Sequence, residues 1–136
     1  PSARVLALAS VEVDIGAIPE GKTVTLKWRG KPVFIRHRTA GEIDVENAVP
    51  VESLKDPEPD SSRYIDNRSE YVVLLGVCTH FGCVPVSDAG DVKGGFFCPC
   101  HGSHYDTGGR IRRGPAPKNL EIPKHRYISP TTIVIG

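Results

Sequence analysis

The chain has 136 residues, of which 39% are hydrophobic and 24% charged, and its formal net charge is +1. This length suits one compact domain, and scattered charges that nearly cancel give no reason to expect a nucleic-acid partner. The best apolar run, residues 72–78, is far shorter than the roughly 20 residues that span a bilayer as a helix.

Alternation of apolar and polar residues predicts strands in the first third of the chain. Residues 11–15 and 23–28 both show this period of two, which is typical of half-buried strands. Residues 29–32 are interpreted as a turn into a strand at 33–35, which makes an antiparallel hairpin. We expect Trp28 to pack in the core, because it shares the period of its strand.

A short helix and a long loop follow. Thr39 and Glu42 have the spacing of a capping box, so a helix is predicted to start there and to end near Ala48. Residues 55–70 are rich in Asp, Ser, Pro and Arg, and this composition predicts a polar loop on the surface. A buried strand is predicted at 71–75.

Every cysteine of the chain lies in two short segments, Cys-Thr-His-Phe-Gly-Cys at 78–83 and Cys-Pro-Cys-His-Gly-Ser at 98–103. The first segment follows the strand predicted at 71–75, and the second follows residues 94–97, which are also interpreted as a strand. Each segment pairs one cysteine with one histidine and contains a second cysteine. This pattern favours a metal site between two facing loops, while a structural zinc site or a metal-free disulfide framework is the alternative. The paired residues are Cys78 with His80 and Cys98 with His101.

The remaining residues predict a basic face and more strands. Arg110, Arg112 and Arg113 are interpreted as a solvated face of the protein. Three short strands are predicted at residues 120–122, 126–128 and 132–135.

Residues 76–117 resemble the cluster-binding part of the Rieske proteins of cytochrome bc complexes. The shared motifs are Cys-Thr-His-x-Gly-Cys, Cys-Pro-Cys-His-Gly-Ser-His-Tyr-Asp and a proline loop at 114–117. Residues 27–39 also resemble the mitochondrial and alpha-proteobacterial branch of that family. The resemblance implies one Rieske domain, all-β with antiparallel sheets and one short helix. Its basal part would comprise 1–75 and 118–136, and 76–117 would form an inserted cluster-binding subdomain.

The resemblance also implies a Rieske 2Fe-2S cluster, in which two cysteines bind one iron and two histidines bind the other. It leaves Cys83 and Cys100 to form a disulfide between the two loops, because thiolates on iron are not available for that bridge. His104 is not a ligand by resemblance. The implied ligands are Cys78, His80, Cys98 and His101.

Other positions carry implied roles around the cluster. Ser103 and Tyr105 match hydroxyls that bond a bridging sulfide and the Cys78 sulfur, which raises the reduction potential. A docking rim is implied beside them, and its residues are Phe81, Gly114, Pro115, Ala116 and Pro117. Phe81 and Lys118 stand where the family usually has leucine.

The function implied by the resemblance is electron transfer from ubiquinol to cytochrome c1 with proton release through His101. The chain would be a catalytic subunit of respiratory complex III, a quinol–cytochrome c reductase active only with cytochrome b and cytochrome c1. Residues 3–7 resemble the end of the neck that leads to an N-terminal membrane anchor, and we expect that anchor to be missing from this chain. The implied cellular location is the mitochondrial inner membrane, with the head in the intermembrane space. The alternative location is the periplasmic side of a bacterial plasma membrane.

Two relatives with the same cluster are the alternatives. A plastoquinol-oxidising cytochrome b6f Rieske protein has both extra cysteines, but its basal part does not resemble residues 28–39. A soluble Rieske electron carrier lacks the extra cysteines at the positions of Cys83 and Cys100.

Overall fold

The computed structural model describes residues 10–136, so the predicted neck at residues 3–7 lies outside the described part of the chain. Within that part the protein is built from antiparallel strands with a single α-helix, as predicted. The strands are β1 (Val11–Asp14), β2 (Thr23–Trp28), β3 (Lys31–His37), β4 (Tyr71–Leu75), β5 (Val86–Ser87), β6 (Phe96–Cys98), β7 (Ser103–Tyr105), β8 (Ile111–Arg113), β9 (His125–Ser129) and β10 (Thr132–Ile135), and the helix is α1 (Ala40–Asn47).

Three sheets share two cores. The central sheet has the order β2-β3-β4, and the others have the orders β1-β10-β9 and β5-β6-β7-β8. Successive side chains of a strand point to opposite faces, so β3 and β4 supply both cores. Val33 and Val73 pack on one face with Ile133 of β10, whereas Phe34 and Leu74 pack on the other face with residues of β6 and β7.

The hairpin and the helix cap follow local sequence chemistry. Arg29 and Gly30 both have positive φ angles, 53° and 76°, as a tight two-residue hairpin turn requires. The predicted turn was too long, because Lys31 and Pro32 already belong to β3. The capping box is confirmed: Thr39 Oγ1 accepts a hydrogen bond from the backbone amide of Glu42 at 3.1 Å.

The segment 55–70 lies largely at the surface, as its composition predicted, but two of its charged residues do not. Asp60 and Arg63 are buried. Both carboxylate oxygens of Asp60 accept hydrogen bonds of 2.8 Å from the guanidinium of Arg38, and Arg63 donates to the carbonyl of Gly108 at 2.8 Å. Burial is tolerated because these charged groups are paired and hydrogen-bonded.

The prediction of a solvated basic face is wrong for Arg110, while Arg112 and Arg113 are exposed. Arg110 is fully buried, and it donates to Asp106 at 2.9 Å and to the carbonyl of Glu46 at 3.0 Å. These partners and the carbonyl of Glu58, at 3.2 Å, replace the water that the guanidinium loses.

Two of the three strands predicted near the C-terminus are present as β9 and β10. Residues 120–122 form no strand. Leu120 donates to Gly109 at 2.8 Å, and Glu121 accepts from Leu75 at 2.7 Å. These single bonds go to two different segments, so no continuous ladder forms.

Strands β5 to β8 all lie within residues 76–117, and the other strands lie outside that range. The predicted subdomain boundaries remain a prediction, since one hydrophobic core joins β3 and β4 to β6 and β7. No helix in residues 10–136 has the length and apolar character needed to cross a membrane.

Candidate metal centre

The two cysteine segments fold into turns of the same kind. The carbonyl of Cys78 accepts a hydrogen bond from the amide of Gly82 at 2.9 Å, and that of Cys98 accepts from Gly102 at 3.1 Å. Both glycines have positive φ angles, 73° and 81°, which glycine adopts without a steric penalty. Each loop therefore turns back on the cysteine at its start, four residues after it.

The turns bring the four predicted ligands together. Cys78 and Cys98 are buried free thiols. The rings of His80 and His101 lie perpendicular, with their centroids 4.6 Å apart. The two loops border a narrow cavity, partly open to solvent, with about 150 Å³ of space free of protein atoms, and its lining residues are Cys78, His80, Phe81, Cys83, Cys98, Cys100, His101 and Ser103.

One buried nitrogen at this cavity has no hydrogen-bond partner. Among residues 10–136, Nδ1 of His80 is the one buried side-chain nitrogen or oxygen without a hydrogen bond. Leaving such an atom unsatisfied is unfavourable by about 1–3 kcal/mol, and a neutral imidazole nitrogen is a common metal ligand. Two thiols and two imidazoles around one cavity therefore fit a metal group with mixed sulfur and nitrogen ligands.

Cys83 and Cys100 form a disulfide that joins the two loops, with their Cα atoms 6.6 Å apart. The Sγ atoms of Cys83, Cys98 and Cys100 lie within 4.8 Å of one another. Because two of these sulfurs are bonded to each other, only Cys98 of this group can offer a thiolate. Burial raises the pKa of the Cys98 thiol, so metal binding must displace its proton.

The Tyr105 hydroxyl is positioned against the first loop. It lies 3.2 Å from Sγ of Cys78 and accepts a hydrogen bond of 3.3 Å from the amide of Thr79. Burial raises the pKa of Tyr105 well above its usual range, so the phenol remains protonated at neutral pH. Since its oxygen already accepts from Thr79, its own proton is available to the Cys78 sulfur.

Sequence reasoning gave no role to Thr79. Its hydroxyl donates to the carbonyl of Lys118 at 2.6 Å, while its amide holds Tyr105. Thr79 therefore attaches the first loop to the chain just after the proline loop. The only available signal was its position between two predicted ligands.

Ser103 lines the cavity, and its Oγ accepts a hydrogen bond of 3.1 Å from the amide of Ala116. A bond from Ser103 to a bridging sulfide remains a prediction. His104 is not among the residues that line the cavity, and its Nδ1 accepts from the amide of Asp91 at 2.9 Å.

The predicted docking rim is partly exposed. Phe81 is 76% exposed and packs against both histidines, with ring centroids 4.1 Å from His80 and 5.4 Å from His101. Pro115 and Pro117 are exposed, and Gly114 is half-buried. The side chain of Ala116 is fully buried because it packs in the core below the loop. The docking role of the rim remains a prediction.

A family described as the Rieske [2Fe-2S] domain matches residues 10–125. The chain belongs to this family. The predicted family and the predicted 2Fe-2S cofactor are thereby confirmed, and the cavity between the two cysteine loops fits that cofactor. The assignment of individual ligands remains a proposal.

Curated relatives match 99% of this chain. Among them are the Rieske subunits of the mitochondrial cytochrome b-c1 complex from Neurospora crassa, 62% identical, from Candida albicans, 58% identical, and from Bos taurus, 55% identical. The chain spans 57%, 62% and 48% of their respective lengths.

Solved structures agree on the fold. A structure described as hyperthermophilic respiratory Complex III has a TM-score of 0.67 and 27% identity, and the match covers 98% of this chain and 79% of that one. A ferredoxin of carbazole 1,9a-dioxygenase from Nocardioides aromaticivorans has a TM-score of 0.54 and covers 94% of this chain and 97% of that one, and its 13% identity shows a shared fold alone.

Proposed function

We propose that this chain is the head of a quinol–cytochrome c reductase subunit and passes electrons from ubiquinol to cytochrome c1. The observation that carries the proposal is the exposed imidazole of His101 beside the exposed ring of Phe81, above two buried thiols. The high identity to mitochondrial cytochrome b-c1 Rieske subunits along the whole chain supports it.

The proposed ligands are Cys78 and Cys98 for one iron and His80 and His101 for the other. When bound, such a cluster accepts and releases one electron, and imidazole ligands raise its reduction potential. The buried thiols are shielded from solvent, and the orphan Nδ1 of His80 supplies a nitrogen that needs a partner.

His101 is proposed to accept the proton of the quinol. An imidazole that binds iron through one ring nitrogen retains a second nitrogen that can take part in proton transfer. The side chain of His101 is exposed whereas that of His80 is only half-exposed, so a quinol hydroxyl reaches His101 more readily. The exposed residues Phe81, Pro115 and Pro117 offer apolar surface to a quinol head group.

We propose cytochrome b and cytochrome c1 as partners and the mitochondrial inner membrane as the location, with an anchor outside this chain. The disulfide supports a head that faces the intermembrane space, because thiol-reducing systems maintain free cysteines in the cytosol and matrix. The mitochondrial names of the relatives support this location over a bacterial membrane.

Quinol oxidation by the assembled complex tests the proposal. The full-length subunit that contains this chain is expressed in fungal cells that lack their own Rieske subunit, and ubiquinol–cytochrome c reductase activity is measured in membranes. Phe81→Glu should retain the cluster signal and lose most of this activity, because a charge then occupies the quinol-facing surface. Ile128→Glu on β9, where the parent residue is 49% exposed, is the matched control and should retain activity. A parent subunit that assembles with its cluster but oxidises no quinol contradicts the proposal.

A further inference from the structure

The proline loop, residues 114–117, has few groups that can hold its backbone in place. Pro115 and Pro117 have no amide hydrogen, so Gly114 and Ala116 supply the amide donors of the loop. The amide of Ala116 donates to Ser103 Oγ at 3.1 Å. A hydrogen bond from a backbone amide of the loop therefore goes to a residue that lines the metal cavity.

Lys55 holds the same loop from the opposite side. Its ammonium donates to the carbonyl of Ala116 at 3.0 Å and also to the carbonyl of Gly114. An ammonium has three donors, so one side chain fixes two carbonyls on either side of Pro115. The Ala116 residue is therefore held at its carbonyl by Lys55 and at its amide by Ser103.

The backbone of the proline loop passes close to that of Ser103. A Cβ atom placed on Gly114 would lie 2.6 Å from Cα of Ser103, a distance that forces a shift. Gly114 also has a φ of 104°, which favours glycine. Displacement of the loop would consequently move the Ala116 amide relative to the Ser103 hydroxyl.

The Ala116 amide restricts where the Ser103 proton can point. A serine hydroxyl has one proton and accepts through its lone pairs. Because Oγ accepts from Ala116, the hydroxyl proton is directed elsewhere, and the residue lines the metal cavity.

We propose that Lys55 is a positioning residue for the redox centre: it fixes the Ala116 peptide, and that peptide orients the Ser103 hydroxyl toward the cavity. The inference rests on the proposed function only in that Ser103 faces the cluster. Lys55 lies in a segment that sequence analysis treated as a solvated surface loop, 48 positions before Ser103.

Reduction potentials of a double-mutant cycle test this proposal. Lys55→Met should lower the potential of the cluster-loaded protein by no more than Ser103→Ala does, and Lys55→Arg, which retains a cationic donor, should restore part of the shift. In the Ser103→Ala background, Lys55→Met should produce no further shift, because the hydroxyl it orients is gone. Lys27→Met, which removes an exposed lysine on β2, is the charge control and should not change the potential.

Two results for the reduction potential overturn the proposal. An equal shift in both backgrounds means that the lysine charge acts directly on the cluster, and an unchanged potential in Lys55→Met means that the lysine positions nothing. If Lys55→Met does not retain its cluster, Lys55→Gln replaces it in the same cycle.

Amide hydrogen exchange provides an independent measurement. The Ala116 amide should exchange faster in Lys55→Met than in Lys55→Arg, and equal rates contradict the mechanism. None of these experiments measures quinol turnover. A failure of the proposed quinol chemistry is therefore distinguishable from a failure of the positioning role of Lys55.

Discussion

At the scale of single residues, two hydroxyls border the proposed cluster, and each is oriented by a backbone amide. Tyr105 accepts from Thr79, and Ser103 accepts from Ala116. An oxygen that accepts from the protein has its own proton available for the metal group or its sulfur ligand. Such outer hydrogen bonds stabilise the more negative reduced state and raise the reduction potential.

Tyr105→Phe should therefore lower the reduction potential without loss of the cluster. A hydrogen bond that differs by ~0.5–1.5 kcal/mol between redox states corresponds to roughly 20–65 mV for one electron. Protein-film voltammetry measures the shift, and Tyr127→Phe on β9 is the matched control that should leave the potential unchanged. A potential that remains the same or rises in Tyr105→Phe shows that this hydroxyl does not act on the Cys78 sulfur.

At the scale of elements, the two ligand loops are short, and their contact depends on a covalent bond between them. Cys83 and Cys100 supply that bond 17 positions apart. The turns at Gly82 and Gly102 shape each loop, but these turns lie within one loop and do not join it to the other.

Cys83→Ser and Cys100→Ser should each destabilise the protein by ~2–5 kcal/mol, because the bridge no longer restricts the unfolded chain. Urea unfolding and iron retention measure the loss. The double variant should be no less stable than the worse single one, since both changes break the same bond. Parental stability and parental iron content in both single variants contradict a structural role for the disulfide.

A buried carboxyl group also joins the helix α1 to the chain at Thr107. Glu46 at the end of α1 accepts hydrogen bonds from the amide and hydroxyl of Thr107, at 2.8 and 2.7 Å. Burial and then the charge of Asp106 raise the pKa of Glu46 above its usual 4.5. Glu58 differs: although its burial opposes ionisation, hydrogen bonds from Asn119 and the charge of Arg63 lower its pKa overall.

These opposite shifts predict opposite pH dependences of stability. A carboxyl whose pKa is raised by folding stabilises the fold below its unfolded pKa and loses that contribution as pH rises through the folded pKa. The stability of Glu46→Gln relative to the parent should therefore increase as pH rises from about 4 to 7, while that of Glu58→Gln should decrease. Unfolding midpoints of both variants and the parent at each pH measure these differences. A relative stability of Glu46→Gln that falls over this range contradicts the raised pKa.

Local patterns predicted the elements that depend on neighbours in sequence. The alternation in β2, the capping box at Thr39 and the apolar run of β4 all have causes within a few residues. The buried state of Arg110 depends also on a distant residue, because its partner Asp106 is four residues away but its partner Glu46 lies 64 positions away. For the same reason the cysteine and histidine spacing predicted that a metal site exists, whereas Thr79 and Lys55 emerged only from contacts across the fold.

At the scale of the whole molecule, one face of the central sheet packs on β10 and the other on β6 and β7. The segment 55–63 contacts the C-terminal side of the predicted cluster-bearing part. Its residues hold the turn at Gly108, the proline loop and Asn119. The exposed tip with Phe81 and His101 is thus presented by a framework fixed on several sides.

The most direct test of the proposed centre is paramagnetic resonance of the reduced, cluster-loaded protein with nitrogen-15 in its histidines, together with iron analysis. We predict two irons per chain and coupling of the cluster to two histidine nitrogens. Both should be lost in His101→Asn and retained in His104→Asn, since His104 is committed to the amide of Asp91. Zinc in place of iron, a cluster without histidine coupling, or loss of the signal in His104→Asn but not in His101→Asn would contradict the account.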